Sequence, residues 1–212
     1  MKLEWYVLWE FRQKLFDGLL VTLWLSAVGI VGSTAVGTIV GCMSTLPSFL
    51  ARRTTAAYVE LLRNVPLVVK LFFFHFIVGL DGLPSAIIAL ILHQSAYVAD
   101  VTSAGLRSVP RGQTEAALAC GHSYAQVFAH VLVPQAVRIV LPPLTTQYIQ
   151  VVKNSSVVML IAIEELSFQT QYIDHQTFRG FEASIAVTAL YLAIVLVVSG
   201  SMSLLQWGLA RR

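Results

Sequence analysis

A chain of 212 residues that is 57% hydrophobic and only 12% charged carries too few charges to coat a water-soluble domain. Its mean hydropathy of +0.74 and two uncharged runs, 18–51 and 183–210, mark an integral membrane protein built of helices, because each run exceeds the roughly 20 residues that cross a bilayer core. The formal net charge of +3 comes from Lys and Arg scattered between apolar runs rather than gathered with aromatics into a groove, which argues against a nucleic-acid partner.

Residues 1–17 place Trp5, Leu8, Trp9, Leu15 and Phe16 near one helical face, as in an interfacial helix anchored by Trp at headgroup level; a frayed tail is the alternative. No cleavable signal is evident, since Lys2 precedes only a brief apolar patch before Glu10, Arg12, Lys14 and Asp17. The remainder, 18–212, reads as one membrane domain with spans at about 18–46, 56–80, 84–106, 136–162 and 184–208. In the first of these Gly29, Ser33, Gly37 and Gly41 recur every four residues, a face of small groups on which a neighbouring helix can approach closely. Cys42 and Cys120 have no CxxC spacing and no His at metal-ligand spacing, so both are expected unpaired, with no metal site.

Five spans put the termini on opposite sides. Arg52, Arg53, Arg63, Arg107, Arg111, Arg138, Arg211 and Arg212 fall on one side, whereas Lys2, Arg12, Lys14 and Arg179 share the other with Asp81, Glu164, Glu165, Asp174 and Glu182. The positive-inside rule then orients the N-terminus outside and the C-terminus in the cytoplasm.

Between the third and fourth spans lies EAALACGHSYAQVFAHVLVP, residues 115–134. Pro110, Arg111 and Gly112 are expected to stop the third span, Thr114 to cap a short helix carrying Glu115 in its first turn, and Gly121 to end that helix in the left-handed conformation. A second helix is expected from about Ser123 to Pro134. Such a helix pair on the cytoplasmic face is either an ordinary connection or a docking element with an Ala-rich surface.

The spacing of that segment, Glu115-Ala116-Ala117, then Gly121, then Val131 to Pro134, resembles the cytoplasmic EAA loop of binding-protein-dependent ABC importer permeases. The likeness extends over about 18–205 and is closest to the polar amino acid permease branch: LLRNVPLVVKLFFFHF, SAYVAD, SVPRGQTEAA, PQAVRIVLPPL and VVKNSSV stand in the order of that branch's motifs. It implies an all-α, MetI-like type I ABC importer permease fold with about five transmembrane helices. It also implies a cytoplasmic coupling helix in the loop at about 111–134, with Gly112, Glu115, Ala116, Ala117, Gly121 and Pro134 coupling to an ATPase. Two ATPase subunits, which would carry the ATP and Mg2+, a second identical or similar permease, and an external substrate-binding protein, periplasmic or lipid-anchored, are implied as partners in a bacterial inner membrane. The chain itself is expected to hold no cofactor. Consistent with that, it contains no GxxxxGK[ST] phosphate loop.

Three positions depart from the branch. Asp100 stands where Glu is usual and Ser103 where Arg is usual, so an ion pair between them is absent; Lys70 replaces a usual Gln. Counting 1.5 Å per residue puts Lys70 ~10 Å beyond Arg63 and Lys153 ~22 Å beyond Arg138, within reach of a central cavity or of a carbonyl or carboxylate in the bundle. Asn154, Ser155 and Ser156 either contact substrate or bond between helices. His75 and His93 read as satisfied core groups. An added positive charge at Lys70 leans the substrate toward glutamate, aspartate, glutamine or asparagine; the alternative is a permease of the same type for basic amino acids such as histidine, arginine or lysine. An intramembrane hydrolase is the remote alternative, and no GxSxG or paired nucleophile and base supports it.

Overall fold

The computed structural model describes residues 3–46 and 48–211; Lys2 and Arg212, counted above among the flanking charges, lie outside the described residues. A short helix α1 (Tyr6–Glu10) is followed almost at once by α2 (Arg12–Met43), so the expected boundary at residue 17 is not a break. Residues 12–17 are the first turns of α2, because nothing between Phe11 and Gly18 interrupts helical hydrogen bonding. Trp5, Trp9 and Phe16 remain exposed, whereas Val7 and Leu15 are buried, which fits a chain start lying against the bundle with an aromatic outer face.

The small-residue face of α2 packs on α5 (Gly82–Ser108). A Cβ at position 37 would stand 2.6 Å from the Ser95 carbonyl oxygen, and one at position 41 would stand 2.8 Å from that of Ala99. Ser44 Oγ donates to Ser103 Oγ at 2.7 Å, so Ser103 joins α5 to α2. These pairs ascend together along both helices, which makes α2 and α5 parallel, and the chain between them must return across the membrane.

That return is where the expected span 56–80 needs correction. Among the described residues four helical stretches are each long and apolar enough to cross by themselves: Arg12–Met43, Gly82–Ser108, Tyr124–Ile161 and Gly180–Leu209. The return is a broken helix instead, α3 (Phe49–Asn64) followed by α4 (Leu67–Phe72) and a π turn at Phe73–Ile77. Pro66 has no N–H to continue α3 and forces Val65 into extended backbone, φ −97° and ψ 124°. Arg63, grouped above with the flanking charges, is about 15 Å along α3 from Arg53 and remains exposed on the face of α3 that meets Asp100 of α5.

The connection after α5 also differs in its boundaries. α6 (Arg111–Ala119) begins three residues before Thr114, with Pro110 at its start, so Thr114 is an interior residue and Glu115 lies in the second turn. Proline's fixed φ, here −58°, is already suited to a helix start, which is why Pro110 nucleates α6 before Thr114 is reached. α7 (Tyr124–Val127) does not end at Pro134; it runs through a π turn at Phe128–Leu132 into α8 (Val133–Asn154) and a closing 3-10 segment, Ser155–Ile161. In the widened turn Val133 N–H reaches back five residues to Phe128 O, and the ring of Pro134 is accommodated without a break.

α9 (Leu166–Thr177) caps the far end of the bundle and α10 (Gly180–Ala210) crosses last. Opposed pairs such as Gln206 with Thr145, at 2.9 Å, set α10 antiparallel to α8. The chain thus crosses five times and its ends lie on opposite faces. At the α1 end, Arg179 bridges to Glu4 at 2.9 Å and the Glu4 N–H donates to Glu182 Oε1 at 3.0 Å, holding α1 to the start of α10.

Candidate functional site

Two features stand apart from the packed core: the α6 loop and a polar face at membrane depth. α6 buries none of its residues. Glu115 and Ala116 are exposed and Ala117 is half-buried. The helix ends as its sequence predicts: Gly121 takes φ +87°, its N–H donates to Leu118 O at 2.9 Å, and His122 N–H donates to Ala117 O at 3.2 Å. Ser123 then starts α7 through a reciprocal cap with Gln126. Gln135 donates to Gln113, and buried Val127 anchors the returning helix, so the loop is held rigidly with its Glu115 and Ala116 surface outward. Gly112 has open space around it, and Pro134 is exposed at the second position of α8.

The polar face is built from α3, α5 and α8. On α5, His93, Tyr97 and Asp100 follow at helical spacing along one side. Arg63 of α3 bonds Asp100 at 2.6 Å and lies over the Tyr97 ring at 5.1 Å, while the Tyr97 ring meets that of His93 edge-on at 5.3 Å. Asp100, lacking an Arg at 103, has found its cation on another helix. Gln94 donates to Gln147 of α8 at 2.7 Å. Three recesses join along this face through shared residues. One of about 460 Å³ lies between Arg52, Arg53, Glu60, Asp100 and Arg107; one of about 240 Å³ lies between Glu60, Arg63 and Tyr97; and one of about 310 Å³ lies between His93, Tyr97, Gln147, Gln150 and Asn154. Because Arg63 and Asp100 are both half-exposed, Asp100→Asn should change stability by no more than ~1 kcal/mol. A melting curve of the purified protein checks this, and a larger loss would mean the pair is shielded from water.

The sequence candidates distribute unevenly over this face. Asn154 lines the third recess and Lys153 is exposed beside it. Ser155 and Ser156 donate to the carbonyls of Val152 and Lys153 in their own helix, both at 2.7 Å, where α8 tightens into its 3-10 segment. Lys70 is buried and reaches the recess only through His93, to which its Nζ donates at 2.8 Å.

One polar cluster had no sequence signal. Glu165, fully buried, caps α9 by accepting from Phe168 N–H at 3.0 Å and also accepts from the Tyr191 hydroxyl at 2.5 Å. Thr22 completes it, donating to Glu165 at 3.4 Å and accepting from Leu166 N–H at 3.1 Å. Burial holds the Glu165 carboxyl above the usual carboxylate range. The partners come from three separated stretches of chain, so no local pattern announces them.

Residues 33–211 match the family described as binding-protein-dependent transport system inner membrane component. The chain is 32% identical over 206 residues to the glutamine transport system permease protein GlnP of Escherichia coli (strain K12), covering 94% of each chain. It is 33% identical over 205 residues to the probable glutamine ABC transporter permease protein GlnM of Bacillus subtilis (strain 168), covering 94% of this chain and 95% of that one. Among solved structures, the crystal structure of an amino acid ABC transporter with histidines superposes with a TM-score of 0.89 at 28% identity, over 97% of this chain and 99% of that one.

Proposed function

Since the chain belongs to the binding-protein-dependent transport system inner membrane component family, we propose that it is the membrane-spanning half of an ATP-driven importer for polar amino acids, with the face of α3, α5 and α8 as one wall of the pathway. The observation that carries this is the exposure of Thr146, Gln150 and Lys153 in the last turns of α8, within a stretch long and apolar enough to span the bilayer. A lysine and a glutamine facing hydrocarbon would cost several kcal/mol, so that face meets water or a second subunit. A second permease, identical or similar, closing on it would enclose the three recesses between two walls.

In this arrangement the N-terminus is external, α6 docks into an ATPase subunit, one per permease, and an external binding protein delivers substrate at the α9 end. Hydrolysis of ATP belongs to the partner. The substrate class follows the two glutamine permease relatives and the cationic Arg63, Lys70 and Lys153 along the wall: an amino acid with an amide or carboxylate side chain.

Proteoliposomes containing this chain, its ATPase and its binding protein test the reading. ATP-dependent accumulation of glutamine, glutamate, asparagine or aspartate, exceeding that of histidine, arginine and lysine, is the expected result. Preferential accumulation of the basic amino acids would reverse the substrate assignment. If this chain supports uptake as the only permease, the pathway lies in a homodimer; uptake that requires a second permease makes it a heterodimer.

A further inference from the structure

The Lys70 ammonium has three N–H donors and no acceptor, and the structure accounts for all three. Nζ donates to Leu62 O at 2.6 Å, to Val65 O at 2.8 Å and to His93 Nδ1 at 2.8 Å. The two carbonyls are ones that α3 leaves without helical partners where Pro66 interrupts it, so Lys70 satisfies the end of the broken helix from within the next one. The third bond has a different consequence. An ammonium can only donate, hence Nδ1 of His93 must accept, and the imidazole is the neutral tautomer with its proton on Nε2. Among the described residues Nε2 has no protein partner, and His93 lines the recess shared with Gln147, Gln150 and Asn154.

We infer that His93 is a specificity-determining residue of this recess, presenting a fixed Nε2–H donor to a side-chain oxygen of the substrate, and that Lys70 is its positioning residue. The inference rests on the proposal that the recess belongs to the substrate pathway. Lys70 never reaches the substrate. It acts by holding the ring in one orientation and one tautomer, and by placing a positive charge behind it. A donor backed by a cation suits an amide or carboxylate oxygen and opposes a guanidinium or ammonium side chain, which has nothing to accept with and is repelled. Tyr97, its ring edge-on to that of His93 at 5.3 Å, limits how far the imidazole can turn away.

The tautomer can be observed separately from transport. In the permease–ATPase complex labelled with ring-15N histidine, the His93 signal is assigned by its loss in His93→Gln. It should show a protonated Nε2 and an unprotonated Nδ1, and Lys70→Met should shift it toward a mixture of tautomers. A protonated Nδ1 in the unmodified protein would overturn the positioning role. Specificity is read by competition of glutamine against arginine for the same complex without its binding protein. His93→Phe and Lys70→Met should each lower the glutamine preference by about tenfold, the loss expected for one buried hydrogen bond, while His93→Gln, which keeps a side-chain N–H donor, restores most of it. An unchanged preference in His93→Phe with the tautomer as described would overturn the specificity role. If Gln150→Leu and Asn154→Leu also leave binding and uptake untouched, the pathway assignment itself fails.

Discussion

Replacing Gly37 with Leu should eliminate the folded protein from the membrane. The Cβ of any residue at 37 would stand 2.5 Å from Val98 Cβ and 2.6 Å from the Ser95 carbonyl oxygen, and the second of these is backbone that cannot rotate aside. Parallel packing of α2 on α5 therefore depends on the absence of a side chain here, and the helices would have to separate to admit one. Overpacking a core by a few methylenes costs ~1–3 kcal/mol where neighbours can shift, and a clash with backbone lies at or above the upper end of that range. The separation would also pull Ser44 from Ser103, further along the same seam beyond Gly41. Low membrane yield and loss of a cooperative melting transition are the expected observations, with Gly200→Leu as control because a Cβ there meets nothing within 4 Å. Normal yield and melting for Gly37→Leu would mean that α2 and α5 do not approach this closely.

Uncoupling without unfolding is expected for the α6 loop. Glu115→Lys reverses a charge on an exposed helix face and disturbs no buried contact, so membrane level and melting should be unchanged, while ATPase retention falls on the order of tenfold, a common result of placing the wrong charge in an interface. Gly121→Val acts differently. At φ +87° a β-branched side chain is strained by roughly 1–2 kcal/mol, and relief of that strain breaks the bonds from Gly121 and His122 to Leu118 and Ala117 that fix where α6 ends. The helix would then be presented at the wrong angle, with hydrolysis continuing while uptake stops. Measuring ATP hydrolysed per amino acid accumulated separates the two mechanisms. Unaltered coupling in both variants would remove α6 from the transmission path.

Much of this was readable in the chain itself, because the signals are local or periodic. Apolar character along the chain marks all five crossings, the four-residue spacing of Gly29, Ser33, Gly37 and Gly41 identifies the packed face of α2, and Gly121 announces its own positive φ. Helix boundaries are less legible, because competing local preferences decide them. Pro110 starts α6 before Thr114 can cap it, and a π turn carries the helix past Pro134 where a stop was expected.

Other features were decided only when helices came together. The second crossing reads as a plain span, yet Pro66 divides it, and Lys70, for which the sequence leaves open a cavity or a carbonyl partner, is drawn to the carbonyls the break exposes. Asp100 has no partner on its own helix and takes Arg63 from α3; Glu165 meets Thr22 and Tyr191 from opposite ends of the chain. A lipid-facing apolar group needs only to be apolar, which composition reveals. A polar group taken out of water must find a specific partner, and which partner lies within about 3 Å is set by how the helices pack, not by the order of residues along any one of them.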